Sequence, residues 1–414
     1  MKPDFRNQGY SLIGIIIVLL SVSLISGGLY YYLQKQTPQI KETETVKNTE
    51  DLTAFFIPSE GINGLSSLEE AEKILKVPSP INLSEILDQI LKQDKISNEA
   101  EIKKVIDDNS QSINLVKQAS SASYLQVPEY DNLEKIKAAI MTGATPRSMG
   151  NWRTLAKLVA IKAFLEAQQG QDAKAVEDLF VIIRLGHLIQ NANNGIMGYL
   201  NGQNMKINGV DMLYKLIGDE KLGIAVLKEI PDSLKEYEDI RIGLSNIFKG
   251  EYINYSLYLE KGEEMTGEKL PSQLKEQYNT IIAQYYRDYV SGAKADNYSQ
   301  YAEPDYISSI KDPTLKSLLD IVLINGSSMI QQRFLQKFYI EGISLLVSLR
   351  LNDILPDSLP RDPFSGNPLR YDKDKKILYS VGPSGQDKGG TSLVQPAFFT
   401  ELKEMENPSI LLSP

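Results

Sequence analysis

Few side chains in this sequence could do chemistry. Histidine occurs once, as His187 in the run VIIRLGHLIQ, and cysteine does not occur. A Ser-His-Asp arrangement would rest on that one imidazole, while thiol nucleophiles, disulfides, zinc ribbons and clusters of His ligands are excluded. His187 sits among apolar residues at helical spacing, so it reads as a packing or surface histidine rather than a base. Ser308 with Lys311, and Ser272 with Lys275, fit a Ser-x-x-Lys pattern, which places an amine one helical turn from a hydroxyl. The companion motifs of acyl enzymes are missing, and Gly382-Pro383-Ser384-Gly385 lacks the spacing of a nucleophile elbow. Neither a Walker-type phosphate loop nor HExxH is present, and no pattern nominates the carboxylate pair a glycosidase would need.

The elements that would have to position such groups are helices. Leu155, Leu158, Val159, Ile161, Phe164 and Leu165 recur at helical spacing before Gln169-Gly170-Gln171, and Ala175, Leu179, Ile182, Ile183 and Leu185 recur after it. This predicts a helix hairpin, stopped by Gly170 and restarted with Asp172 as N-cap. Further helices are expected near 84–94, 98–119, 131–141, 197–228, 232–262, 271–292 and 312–351. No second copy of the hairpin recurs at a fixed period, so a repeat array is not expected. Ten of the 22 tyrosines fall between Tyr252 and Tyr306, a composition that suits either core packing or a surface for a protein or polysaccharide partner.

With 414 residues, 42% of them hydrophobic, the chain has enough apolar surface for a large core. A net charge of −9 without a long basic run argues against a nucleic-acid partner, which needs clustered Lys and Arg.

The N-terminus is different in kind. No charged residue occurs over residues 10–33, between Arg6 and Lys35. A helix of that length reaches about 36 Å and covers a hydrocarbon core of about 30 Å. Tyr30, Tyr31 and Tyr32 stand where an interfacial aromatic belt belongs, and Lys2 and Arg6 favour an inside N-terminus. A cleaved secretory signal has a shorter apolar core, so a single-pass anchor in the cytoplasmic membrane is expected, with the bulk of the chain outside.

A basic leader ending in Gly9, then Tyr10-Ser11-Leu12-Ile13 and a long apolar helix, resembles the prepilin N-terminus of type IV pilins and type II secretion pseudopilins. The resemblance implies cleavage between Gly9 and Tyr10 by a membrane-embedded prepilin peptidase, often followed by methylation of the new N-terminus. It implies that Ser11, Leu12, Ile13 and Gly14 begin an assembly helix. The family usually carries glutamate where this chain has Gly14; its absence is a feature of the minor pseudopilin at the filament tip, which carries a large helical insertion.

Residues 359–390, LPRDPFSGNPLRYDKDKKILYSVGPSGQDKGG, read as a turn, a hairpin with strands at 369–371 and 377–381, and a Gly-rich loop. They resemble the C-terminal region of the major pseudopilins through Asp362, Pro363, Gly366, Pro368, Tyr371, Tyr379, Ser380, Gly382, Gly385 and Gly390. In that family the loop can bind calcium. Here Asp387 and backbone carbonyls are the local candidates, and six Lys or Arg against four Asp in this segment favour a loop held by its own hydrogen bonds. No other cofactor is implied.

The expected fold class is mainly α, with an N-terminal transmembrane helix, a large all-α domain and a small C-terminal β-hairpin segment. The expected divisions are a leader at 1–9, the membrane helix at 10–34, a polar stalk at 35–65, the helical domain at 66–352 and the pseudopilin-like segment at 353–414. The expected function is a non-enzymatic, minor or accessory component of a type II secretion or type IV pilus-like machine, its partners being the membrane and other pilin-like or secretion-machine subunits. The alternatives are a stand-alone anchored binding or scaffold protein and, further off, an envelope hydrolase.

Overall fold

The computed structural model describes residues 50–412 apart from 57–59, 80, 143–149, 194, 267–268, 270, 304–305, 307–309, 323–325 and 394–406. The leader, the membrane helix with Gly9 to Gly14, and the first part of the stalk lie outside the described residues. Among those described, no helix is long and apolar enough to cross a membrane.

The chain is mainly helical, as the apolar periodicity requires. In order the helices are α1 (Leu65–Ile74), α2 (Leu83–Gln93), α3 (Glu99–Asp108), α4 (Ser110–Ser120), α5 (Leu133–Thr142), α6 (Gly150–Gln168), α7 (Asp172–Asn191), α8 (Gly195–Gly218), α9 (Ile224–Leu227), α10 (Ile230–Glu236), α11 (Arg241–Thr266), α12 (Ser272–Lys294), α13 (Pro313–Val322) and α14 (Gly326–Asn352). Helix α13 belongs to one unit and the other described elements belong to a second. In α13 the Asp312 side chain accepts the Leu315 N–H at 3.0 Å, an ordinary N-terminal cap.

In the larger unit the expected hairpin is α6 and α7, with α8 returning along both. The crossing of α7 and α8 is close because glycines face each other. A Cβ on Gly186 would lie 2.5 Å from the Gly202 carbonyl oxygen, and one on Gly202 would lie 2.7 Å from that of Gly186. Trp152, Phe164, Leu179, Ile182, Ile183 and Met205 are buried in the interior here, together with the polar side chains of Asp178, Gln190, Lys206 and Asp211. Helix α4 packs on α1 and α7, α11 pairs with α12, and α14 lies against α8, α10 and α12.

Several expectations are corrected. Asp172 is not the cap of α7; Gln171 holds that place, and the Asp172 carboxylate reaches across to the Gly223 N–H at 2.7 Å. The helices expected over 98–119, 197–228 and 232–262 are each interrupted, and the one expected over 312–351 is described as α13 and α14, with 323–325 outside the described residues. At the first of these the break is Asn109, whose side chain donates to the carbonyls of Lys76 at 2.7 Å and Val105 at 2.8 Å and accepts the Lys76 N–H at 2.7 Å. A buried carboxamide that satisfies a distant backbone outweighs the continuation of one helix.

The tyrosine-rich region is largely core. Tyr278, Tyr285, Tyr286 and Tyr289 are buried where α12 packs, with the Tyr285 and Tyr289 rings 4.5 Å apart at their centres and their hydroxyls 2.7 Å apart. Residues 50–56 of the expected stalk lie on α11 and α12, with Leu52 buried.

The C-terminal hairpin is present and larger than expected. β1 (Arg370–Asp372) and β2 (Ile377–Tyr379) pair antiparallel with Tyr371 opposite Leu378, and the Asp372 carboxylate accepts two turn N–H groups at 3.0 Å. The tail returns as β4 (Pro408–Leu411), antiparallel to β2, with the two-residue β3 (Ser392–Leu393) parallel beside it. The sheet rests on α14 where Gly342 meets Ile410, a contact with no room for a further methyl group: a Cβ there would be 2.8 Å from the isoleucine.

Candidate functional site

Three of the residues that carried the C-terminal resemblance meet at one carboxylate: Asp362 supplies it, Ser380 bonds it and Gly382 bonds Ser380. Asp362 is buried in the turn before β1. Its Oδ1 accepts the Ser380 hydroxyl at 2.6 Å and the Phe364 N–H at 2.9 Å; its Oδ2 accepts the Ser365 hydroxyl at 2.9 Å and the Val381 N–H at 3.2 Å. Ser380 passes the network on by accepting the Gly382 N–H at 2.9 Å. Four donors fill the lone pairs of the carboxylate, so the group fastens the turn to the end of the hairpin.

The loop that follows is closed from the tail. Asn407, fully buried, donates to the carbonyls of Val381 at 2.9 Å and Gln386 at 2.8 Å and accepts the Lys388 N–H. Gly390, at φ +66°, lies so close to β2 that a Cβ would be 2.8 Å from Ile377 and 3.0 Å from Tyr379. Asp387, the calcium candidate, is bound by the Arg370 guanidinium and by the Gly389 N–H at 3.0 Å. Among the described residues no three His, Asp or Glu side chains gather as a metal site.

This knot is docked on the helical body. Tyr298 and Ser299 donate their N–H groups to the carbonyls of Pro363 and Phe364, each at 2.9 Å, and the Phe364 ring lies against Tyr298 and Phe334. From the other side the Tyr214 hydroxyl of α8 donates to the Leu411 carbonyl at 2.7 Å.

A second polar group lies in the helical interior. Lys206 of α8 is fully buried, and its amine donates to the Tyr237 carbonyl between α10 and α11. Burial pushes its pKa down to about 7 despite the attraction of Glu238 and Asp239. His187, one helix away, contacts the Asn191 amide at 3.0 Å and the edge of the Tyr237 ring. Burial, with Lys206 adding to it, lowers its pKa to about 3, so it is neutral over the physiological range. Asp211 lies buried beside Tyr339, and burial holds its carboxyl well above the ordinary 3.8. The half-buried imidazole is neutral, and the amine is already bonded to backbone. Likewise Lys275, of the Ser-x-x-Lys pair with Ser272, is drawn to Glu263 at 3.1 Å.

Sequence reading found Asp362, Ser380 and Gly382 of the C-terminal knot but not their bonds, and it missed Asn109, Asn407 and Lys206. A lone Asn or Lys has no local periodicity to mark it; its partner is distant in the chain. No family model, curated protein or solved structure matches the chain.

Proposed function

We propose that the protein is a non-enzymatic, pilin-like protein of the cytoplasmic membrane, anchored through residues 10–34 with its N-terminus inside. It presents a large helical body and a pseudopilin-like C-terminal segment outside, as a minor or accessory component of a type II secretion or type IV pilus-like machine. The observation that carries this reading is that Asp362, Ser380 and Gly382, spread over 21 positions of the resembling segment, belong to one hydrogen-bonded knot seated on the helices. A motif whose members support each other is better explained as a unit than as accidental likeness. Its presence in one chain with a prepilin-like start is the second support.

The test is N-terminal mass spectrometry of the protein from its native membrane. A mature chain beginning at Tyr10, with a methylated amine, is the expected result. A start at Met1 or Lys2 reduces the segment to an ordinary anchor, and a start near Leu29 rules out a filament role.

A further inference from the structure

Residues 50–56 are gripped mainly through their backbone. Asn246 of α11, itself buried, accepts the Phe56 N–H on Oδ1 at 3.1 Å and donates Nδ2 to the Phe56 carbonyl at 2.6 Å. Lys249, one turn on, donates to the Ala54 carbonyl at 2.8 Å and pairs with the Glu50 carboxylate at 2.9 Å. From α12, Lys294 takes the other Glu50 oxygen at 2.8 Å, and the Arg287 guanidinium donates to the Glu50 carbonyl at 3.2 Å. Leu52 is the one buried side chain of the seven residues, while Phe56 is 54% exposed.

We propose that this cleft between α11 and α12 is a binding site for a short segment with an acidic residue and a turn at Asp51 to Ala54, filled here in cis by residues 50–56, and that it accepts the same segment from a second copy of the chain. Three features support it. The contacts are to backbone groups and one carboxylate, so the cleft does not distinguish its own segment from a neighbour's. The apolar grip is a single leucine, so the segment belongs among the parts of the fold that open most easily. Once it leaves, the Asn246 amide and the Lys249 ammonium exchange their contacts with Phe56, Ala54 and Glu50 for water, and a second copy's segment restores the same set. Exchange of an identical element between copies is the low-cost route to such an assembly. The inference stands on the described residues alone and does not require the membrane reading.

The probe is a fluorescent peptide of residues 48–58, NTEDLTAFFIP, titrated against the full chain in detergent and followed by anisotropy. Glu50→Lys with Leu52→Asp weakens the cis segment and leaves the cleft intact; this variant should capture the peptide about tenfold more tightly than the native chain, whose own segment competes. Adding Asn246→Leu and Lys249→Met should abolish capture, as should reversing the acid in the peptide. If the first variant keeps its helical circular dichroism and captures no peptide, or captures it equally after the cleft substitutions, the proposal is overturned. Should that variant lose its helical signal, Glu50→Gln alone serves with the same arms and the same criteria.

Discussion

The Ser380 hydroxyl lies 2.6 Å from the carboxylate of Asp362, a residue 18 positions earlier, and both are buried. That bond joins the turn before β1 to the end of β2, so the hairpin between them closes into a unit. Asp362→Ala should cost about 3 kcal/mol, because buried N–H and O–H donors lose a charged acceptor together. Ser380→Ala should cost about 1 kcal/mol, since three donors to the carboxylate remain. Urea unfolding followed at the C-terminal strands checks both, and equal losses would refute the ranking.

Asp178 makes the second prediction. Its fully buried carboxylate lies between Lys117 and Lys162, at 2.5 Å from each ammonium, and Lys162 also holds Glu166 at 2.5 Å. Removing the shared anion leaves Lys162 with Glu166 and Lys117 with the more distant Glu177 at 3.5 Å, so Asp178→Ala should destabilise by about 1–3 kcal/mol. Thermal denaturation reads this directly; a loss typical of a surface pair would show that the network is solvated.

His187 and Lys206 give stability a pH dependence of known sign. The pKa of His187 is about 3 when folded against an ordinary 6.5, so the unfolded chain binds more protons between those values and stability from this group rises with pH across that window. For Lys206, at about 7 against 10.5, the penalty is complete below about pH 7 and fades as pH rises towards 10.5. Asp211, with its pKa raised, acts in the opposite sense, so the readout is the difference between native chain and variant. Relative to Lys206→Met, the native chain should gain up to about 1.4 kcal/mol per pH unit between the two values. Relative to His187→Gln, it should gain between about 3 and 6.5; a flat difference curve in either window would place that group in solvent.

The glycine contact between α7 and α8 predicts intolerance to a single methyl group. Gly202→Ala brings Cβ to 2.7 Å from the Gly186 carbonyl oxygen, and backbone cannot move aside as a side chain would. The helix-propensity gain from alanine is under about 1 kcal/mol, whereas overpacking costs about 1–3, so the net effect should be destabilising. Gly218→Ala, with open space around its Cβ position, is the control and should be neutral or stabilising.

The sequence by itself determined the class of the fold and the position of its two motifs. Apolar spacing requires helices over the middle of the chain, the α6–α7 hairpin is legible residue by residue, and turn-forming residues mark the strands β1 and β2. These are local signals, settled within one or two turns of chain. The tertiary structure decided what local signals do not contain: where long helices break, that the tyrosines of α12 face inward, that β4 returns beside β2, and which polar side chains are buried. Asn109 bonds to a residue 33 positions away, Asn246 to one 190 away and Tyr214 to one 197 away. A buried carboxamide or hydroxyl must find a partner somewhere, but its own neighbours in sequence do not say where. For that reason the helices were readable in advance, and the fastenings that hold residues 50–56 and the C-terminal sheet to them were not.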